Sequence, residues 1–124
     1  MKPIIYWYWK SVIKMQNSKG MTDVSIKDVR VRTTKANGPI LFGEEAFQAI
    51  KQGTCIKGDV SATAKIAAIQ ALKLTPTIVL VCHPVVIEAV EVNSEPNESE
   101  KSVSATIAVK SSCKTGVEME ALYN

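Results

Sequence analysis

Histidine occurs once in the 124 residues, at position 83, cysteine three times, and glycine and proline only six and five times. The cysteines, Cys55, Cys82 and Cys113, are widely spaced and include no Cys-x-x-Cys. That argues against a closed zinc site, which needs four ligands at recognisable spacing. With no secretion signal, the same spacing points to a reducing cytoplasm and not to a disulfide scaffold. There is no internal repeat and no low-complexity stretch. No apolar run reaches the roughly 20 residues that a membrane span requires. A signal peptide is equally hard to find: Lys10 interrupts the apolar run Ile4-Ile5-Tyr6-Trp7-Tyr8-Trp9, and no Ala-x-Ala follows.

A body charge of one sign is missing too. The formal net charge is +3, but Lys2, Lys10, Lys14 and Lys19 lie in residues 1–20, which hold no acid. The other eleven basic residues face all twelve acidic ones, so residues 21–124 carry −1. Basicity therefore belongs to a leader and not to a binding face, which removes the main support for a nucleic-acid partner. The leader holds both tryptophans and two of the three tyrosines, unlike the rest of the chain. It reads as an extra, unstructured extension, with an interfacial aromatic anchor as the alternative.

What is present is one domain's worth of sequence, 46% apolar, enough for a single core. Val29, Val31 and Thr33 alternate with Arg30, Arg32 and Thr34 as in a half-buried strand, and Asn37-Gly38-Pro39 predicts a turn. Residues 44–51 read as a short helix with Ala46, Phe47 and Ile50 on one side, stopped near Gly53. Asp59 is an N-cap for a helix over 60–74 with an alanine-rich face, which Thr75-Pro76 should break. Ile78-Val79-Leu80-Val81-Cys82-His83-Pro84 then reads as a buried strand ended by its proline. A second strand over 85–92, a long polar loop over 93–100 and a clearly alternating return strand follow, with Val103, Ala105, Ile107 and Val109 on one side. Thr115 and Glu118 have the spacing of a capping box, opening a helix at Gly116-Val117-Glu118-Met119-Glu120-Ala121-Leu122.

Several of these residues can carry chemistry. Lys57, before a helix N-terminus, suits a phosphate or carboxylate, or is simply an exposed lysine. Glu118 and Glu120, near a histidine, are material for acid–base work, or first-turn glutamates favoured by the helix dipole alone. Cys82 beside His83 is either a nucleophile with its base or a core pair, and on a strand the two would point to opposite faces. From these residues alone the reading is an α+β domain that binds a phosphorylated ligand.

The order of five segments goes further. Lys57-Gly58-Asp59-Val60, Ala62-Thr63-Ala64-Lys65-Ile66-Ala67, Leu80-Val81-Cys82-His83-Pro84, Val90-Glu91-Val92 and Lys114-Thr115-Gly116-Val117-Glu118-Met119-Glu120-Ala121-Leu122 together resemble the molybdenum cofactor biosynthesis protein C family, MoaC. Met21-Thr22-Asp23-Val24-Ser25 is similar to that family's start, so the domain is expected over 21–124 after a leader of 1–20. The resemblance implies a ferredoxin-like α+β fold, an antiparallel sheet with helices packed on one face. It implies a cytoplasmic hexamer, a trimer of dimers with active sites between subunits. The implied reaction converts a cyclised dihydro-GTP intermediate to cyclic pyranopterin monophosphate with release of pyrophosphate. No cofactor, metal, nucleic acid or membrane is implied.

By the same pattern Lys57, His83, Glu118 and Glu120 are catalytic. Val81, Cys82, His83, Met119, Glu120, Lys65 and Lys73 contact substrate. Three departures stand against it. Lys65 replaces an arginine, keeping charge but losing the bidentate fork. The family's proline before the cysteine is absent, which predicts a more regular strand. The family's last helix, with its catalytic Asp and Lys, and its last strand lie beyond Asn124. The expectation is therefore a C-terminally truncated domain with an apolar face and a sheet edge uncovered. It is either a synthase or a non-catalytic relative that binds nucleotide or pterin, or oligomerises without turnover.

Overall fold

The computed structural model describes residues 20–123, so the expectation of an unstructured leader over 1–20 lies almost wholly outside the described residues. Three strands and three helices follow in the order β1 (Arg30–Leu41), α1 (Glu44–Gln52), α2 (Val60–Ile78), β2 (Ala89–Asn97), β3 (Ser102–Cys113) and α3 (Glu118–Leu122). The sheet is antiparallel with β3 in the middle, in the order β1-β3-β2. This is the α+β arrangement expected of a ferredoxin-like domain.

The core forms where the inner face of β3 meets α2 and α3. Thr34 and Val90 flank Val109, and Ala36 and Val92 flank Ile107. Leu72 from α2, with Val117 and Ala121 from the end of the chain, closes over this face, and Leu72 and Val109 are 1% and 0% exposed. Of the small residues on α2, Ala68 packs against the cluster, while Ala64, Ala67 and Ala71 line an apolar depression between the helix and the sheet. Asp59 caps the helix by accepting from the Ala62 N–H at 3.0 Å, as the sequence predicts. Gly53, in the left-handed region at φ 67°, ends α1 as expected.

Five expectations about the chain path are corrected. The turn at Asn37-Gly38-Pro39 does not form, because β1 runs straight through it. Proline is tolerated there because, among the described residues, β1 is an edge strand with no neighbour on its outer side. Of the strand's two faces, the one carrying Arg32, Thr34 and Ala36 points inward, while Val31 is 64% exposed. Alternation defines two faces but not which one is buried; pairing with Val109 and Ile107 decides it.

Thr75-Pro76 does not break α2, which carries Pro76 inside its last turn. The Thr75 hydroxyl donates to the Ala71 carbonyl at 3.2 Å and the Val79 N–H to the Thr75 carbonyl at 2.8 Å, so the helix continues around the proline. The 78–84 stretch is consequently not a strand. It is the end of α2 followed by a turn closed by Cys82 N–H to the Val79 carbonyl at 3.3 Å, with Val81 at φ 56°.

The second strand starts at Ala89, not at 85, and continues to Asn97, so most of the polar stretch is paired with β3. A tight turn suffices because the Asn97 side chain accepts from the Ser99 N–H at 3.1 Å and the Ser99 hydroxyl at 2.7 Å. Finally, the Thr115 to Glu118 capping box is not made. Val117 is the N-cap of α3, without a side-chain bond.

Candidate active site

Two chain reversals meet at one edge of the core. The first is the turn after α2, where Val81 takes the left-handed conformation that a β-branched residue seldom adopts. It turns Cys82 and His83 back toward the domain. The second is the end of β3, where residues 114–117 lead into the single turn and a half of α3. Between them lies an open cleft of about 240 Å³, lined by residues 79–83 on one side and by Thr115, Gly116, Glu118, Met119 and Glu120 on the other. Thr22, Val24 and Lys27 form a third wall.

The two glutamates sit in different surroundings. Glu118 is exposed, whereas Glu120 is 2% exposed beneath the helix. Burial raises the Glu120 carboxyl above its ordinary value, and the Glu118 charge adds to this; the backbone N–H of Glu120 and the Cys82 thiol pull the other way. Cys82 donates its S–H to Glu120 Oε1 at 3.7 Å. Burial and that neighbouring carboxylate push the thiol up to about 11, so it is a proton-bearing donor and not a thiolate nucleophile. The Glu118 carboxylate lies over the bare Cα of Gly116, in space that any Cβ there would occupy.

Six of the residues singled out in the sequence therefore share one cleft: Val81, Cys82, His83, Glu118, Met119 and Glu120. Lys73 stands on α2 beside a second depression that Glu120 also borders, together with Leu72, Pro76, Val85 and Ile87. Lys65 faces the β2 side of α2, next to Ile69, Val90 and Val92. Lys57 is an exposed residue in the turn before α2 and does not line the cleft. Sequence reasoning missed the 22–27 wall and Gly116 as site residues. Their signal was present, since Thr22-Asp23-Val24 and Lys114-Thr115-Gly116 lie in the stretches that carry the family resemblance, but no chemistry drew attention to them.

Among the described residues no cluster of three or more His, Cys, Asp or Glu side chains could hold a metal ion. No described helix is long and apolar enough to cross a membrane. The sequence pattern of the MoaC family matches residues 21–124. The chain belongs to the MoaC family. It is 42% identical over 110 residues to a cyclic pyranopterin monophosphate synthase of Helicobacter hepaticus, covering 89% of this chain and 69% of that relative. It is 44% identical over 108 residues to cyclic pyranopterin monophosphate synthase 3 of Mycobacterium bovis, covering 86% of this chain and 60% of the relative. A Campylobacter jejuni synthase is 42% identical over 107 residues, 86% of this chain and 68% of the relative. The MoaC chain thus spans 60–69% of the length of these relatives.

Proposed function

We propose that this MoaC chain serves molybdenum cofactor biosynthesis as a cyclic pyranopterin monophosphate synthase, a lyase that rearranges a cyclised dihydro-GTP intermediate and releases pyrophosphate. The observation that carries this reading is the cleft in which Glu118 and Glu120, on α3, face the Cys82–His83 turn. Paired carboxylates in unlike environments are suited to separate proton-handling tasks. Glu120, raised by burial, keeps its proton to higher pH than an exposed glutamate and can deliver it. Glu118, exposed at the mouth, can accept a hydrogen bond from an N–H edge of the pterin. His83 stands in the same cleft as a second proton carrier.

In this reading Val81, Cys82 and Met119 shape the wall around the bound ring. Lys57, Lys65 and Lys73 are the cations for a triphosphate, with sites completed between subunits of a cytoplasmic homohexamer. Support for self-association comes from large apolar side chains left open, among them Leu41, Ile56, Ile66, Leu80 and Val86.

The test is pyrophosphate release from the cyclised intermediate by the purified chain, with His83→Ala as control. Release that falls about 10²- to 10⁴-fold in the variant supports catalysis. No release by a folded chain that still binds the intermediate would replace the synthase reading with that of a binding-only relative.

A further inference from the structure

We propose that the turn over residues 23–27 is a working wall of this cleft, that Lys27 is its cation for a phosphate-bearing ligand, and that Lys114 is the positioning residue that clasps the turn in place. The inference rests on the synthase reading for the identity of the ligand, and on geometry for the rest.

The cleft is poor in positive charge. Of the described residues that line it, Lys27 is the one lysine, set against two glutamates. An anionic ligand entering beside Glu118 and Glu120 meets repulsion unless a cation stands close by. Among the described residues Lys27 has no ion-pair partner, since the ion pairs formed are Lys51 with Glu98 and Lys101 with Glu44. Its charge is therefore available to a ligand.

The wall is built and not merely adjacent. The Lys27 N–H donates to the Val24 carbonyl at 3.1 Å, closing the turn. The Asp23 carboxylate accepts from the Ser25 N–H at 2.8 Å, fixing its first residues. From 89 positions further along, the Lys114 ammonium donates to the Ser25 carbonyl at 2.7 Å. Lys114 immediately precedes the Thr115–Gly116 segment that lines the opposite wall. One side chain thus ties the two walls together. Without it the turn would be held by its own two short-range bonds, which are weak against the conformational entropy of a chain segment.

Inorganic pyrophosphate is the probe, titrated calorimetrically into the full chain and into Lys27→Ala, Lys27→Arg, Lys114→Met and Lys114→Arg. A charge-assisted contact predicts roughly tenfold weaker binding for Lys27→Ala, with Lys27→Arg retaining affinity. Lys114→Met should weaken binding while amide exchange accelerates at residues 23–27, and Lys114→Arg should restore both. Unchanged pyrophosphate affinity in a folded Lys27→Ala protein overturns the role of Lys27. Unchanged exchange in Lys114→Met overturns the clasp. If Lys27-dependent binding is found in a chain that releases no pyrophosphate, the synthase reading falls and this inference stands. If the chain turns over and Lys27→Ala leaves KM unchanged, the reverse holds.

Discussion

The Cys82 thiol points at Glu120 Oε1 across 3.7 Å, joining the turn after α2 to α3. The contact couples two ionisable groups that burial drives in the same direction, each toward its protonated form. It makes the cysteine a donor to the carboxylate and gives the two sides of the cleft one shared polar contact.

Cys82 should resist alkylation. Its thiol is held near 11 against an ordinary 9.0, so at pH 8 the thiolate fraction is about a hundredfold below that of an ordinary cysteine. Replacing Glu120 by glutamine removes the adjacent charge, lowers the thiol's pKa and speeds the reaction. Site-resolved mass spectrometry of iodoacetamide labelling measures this; equal rates at Cys82 in the parent and in Glu120→Gln would contradict the coupling.

Glu120 should make stability fall as pH rises. Its folded-state pKa is raised above 4.5, so the folded chain binds the proton more tightly than the unfolded chain does. The stability this supplies is fully present below about 4.5 and is lost as pH climbs through the raised value. Urea midpoints of the parent and of Glu120→Gln are expected to agree at low pH and to diverge in favour of the glutamine variant as pH rises. The same variant should lose about 10²- to 10⁴-fold in pyrophosphate release, separating the group's chemical value from its cost in stability.

Leu72 is the aliphatic anchor of α2 on the sheet, 1% exposed in the cluster with Ile107, Val109, Val117 and Ala121. Leu72→Ala should cost about 2–5 kcal/mol, because the lost transfer energy adds to a cavity that β3 cannot collapse to fill. Lys73→Ala, one residue away and exposed, should stay within about 0.5 kcal/mol. Chemical denaturation of the pair checks the assignment of the buried face.

The elements that were legible in the sequence are those where local chemistry and tertiary packing agree. The alternation in β3, the Asp59 cap and the Gly53 stop each have a short-range cause that the fold preserves. The gathering of His83 with Glu118 and Glu120 was legible through the motifs that contain them. The path through 78–84 was not, because a short apolar run has no period that separates strand from helix end. Pro76 made the error worse: proline lacks one donor, and the Thr75 hydroxyl and the Val79 N–H keep the helix going past it. Which face of β1 is buried depends on a partner some 75 residues away, information that the strand itself does not hold.

Gly116 gives the sharpest test of the exposed carboxylate. The three atoms nearest to a methyl group on its Cα all belong to the Glu118 carboxylate, the far end of a flexible side chain that can swing aside to relieve the clash. Gly116→Ala should therefore leave stability within about 1 kcal/mol while moving Glu118 out of its position above residue 116. If that position matters for the reaction, pyrophosphate release should fall at least tenfold and match that of Glu118→Gln. The double variant should be no worse than either single one, since both act on the same group. An additive loss in the double variant would show that Gly116 serves the cleft by another route, such as close approach of the ligand to its backbone.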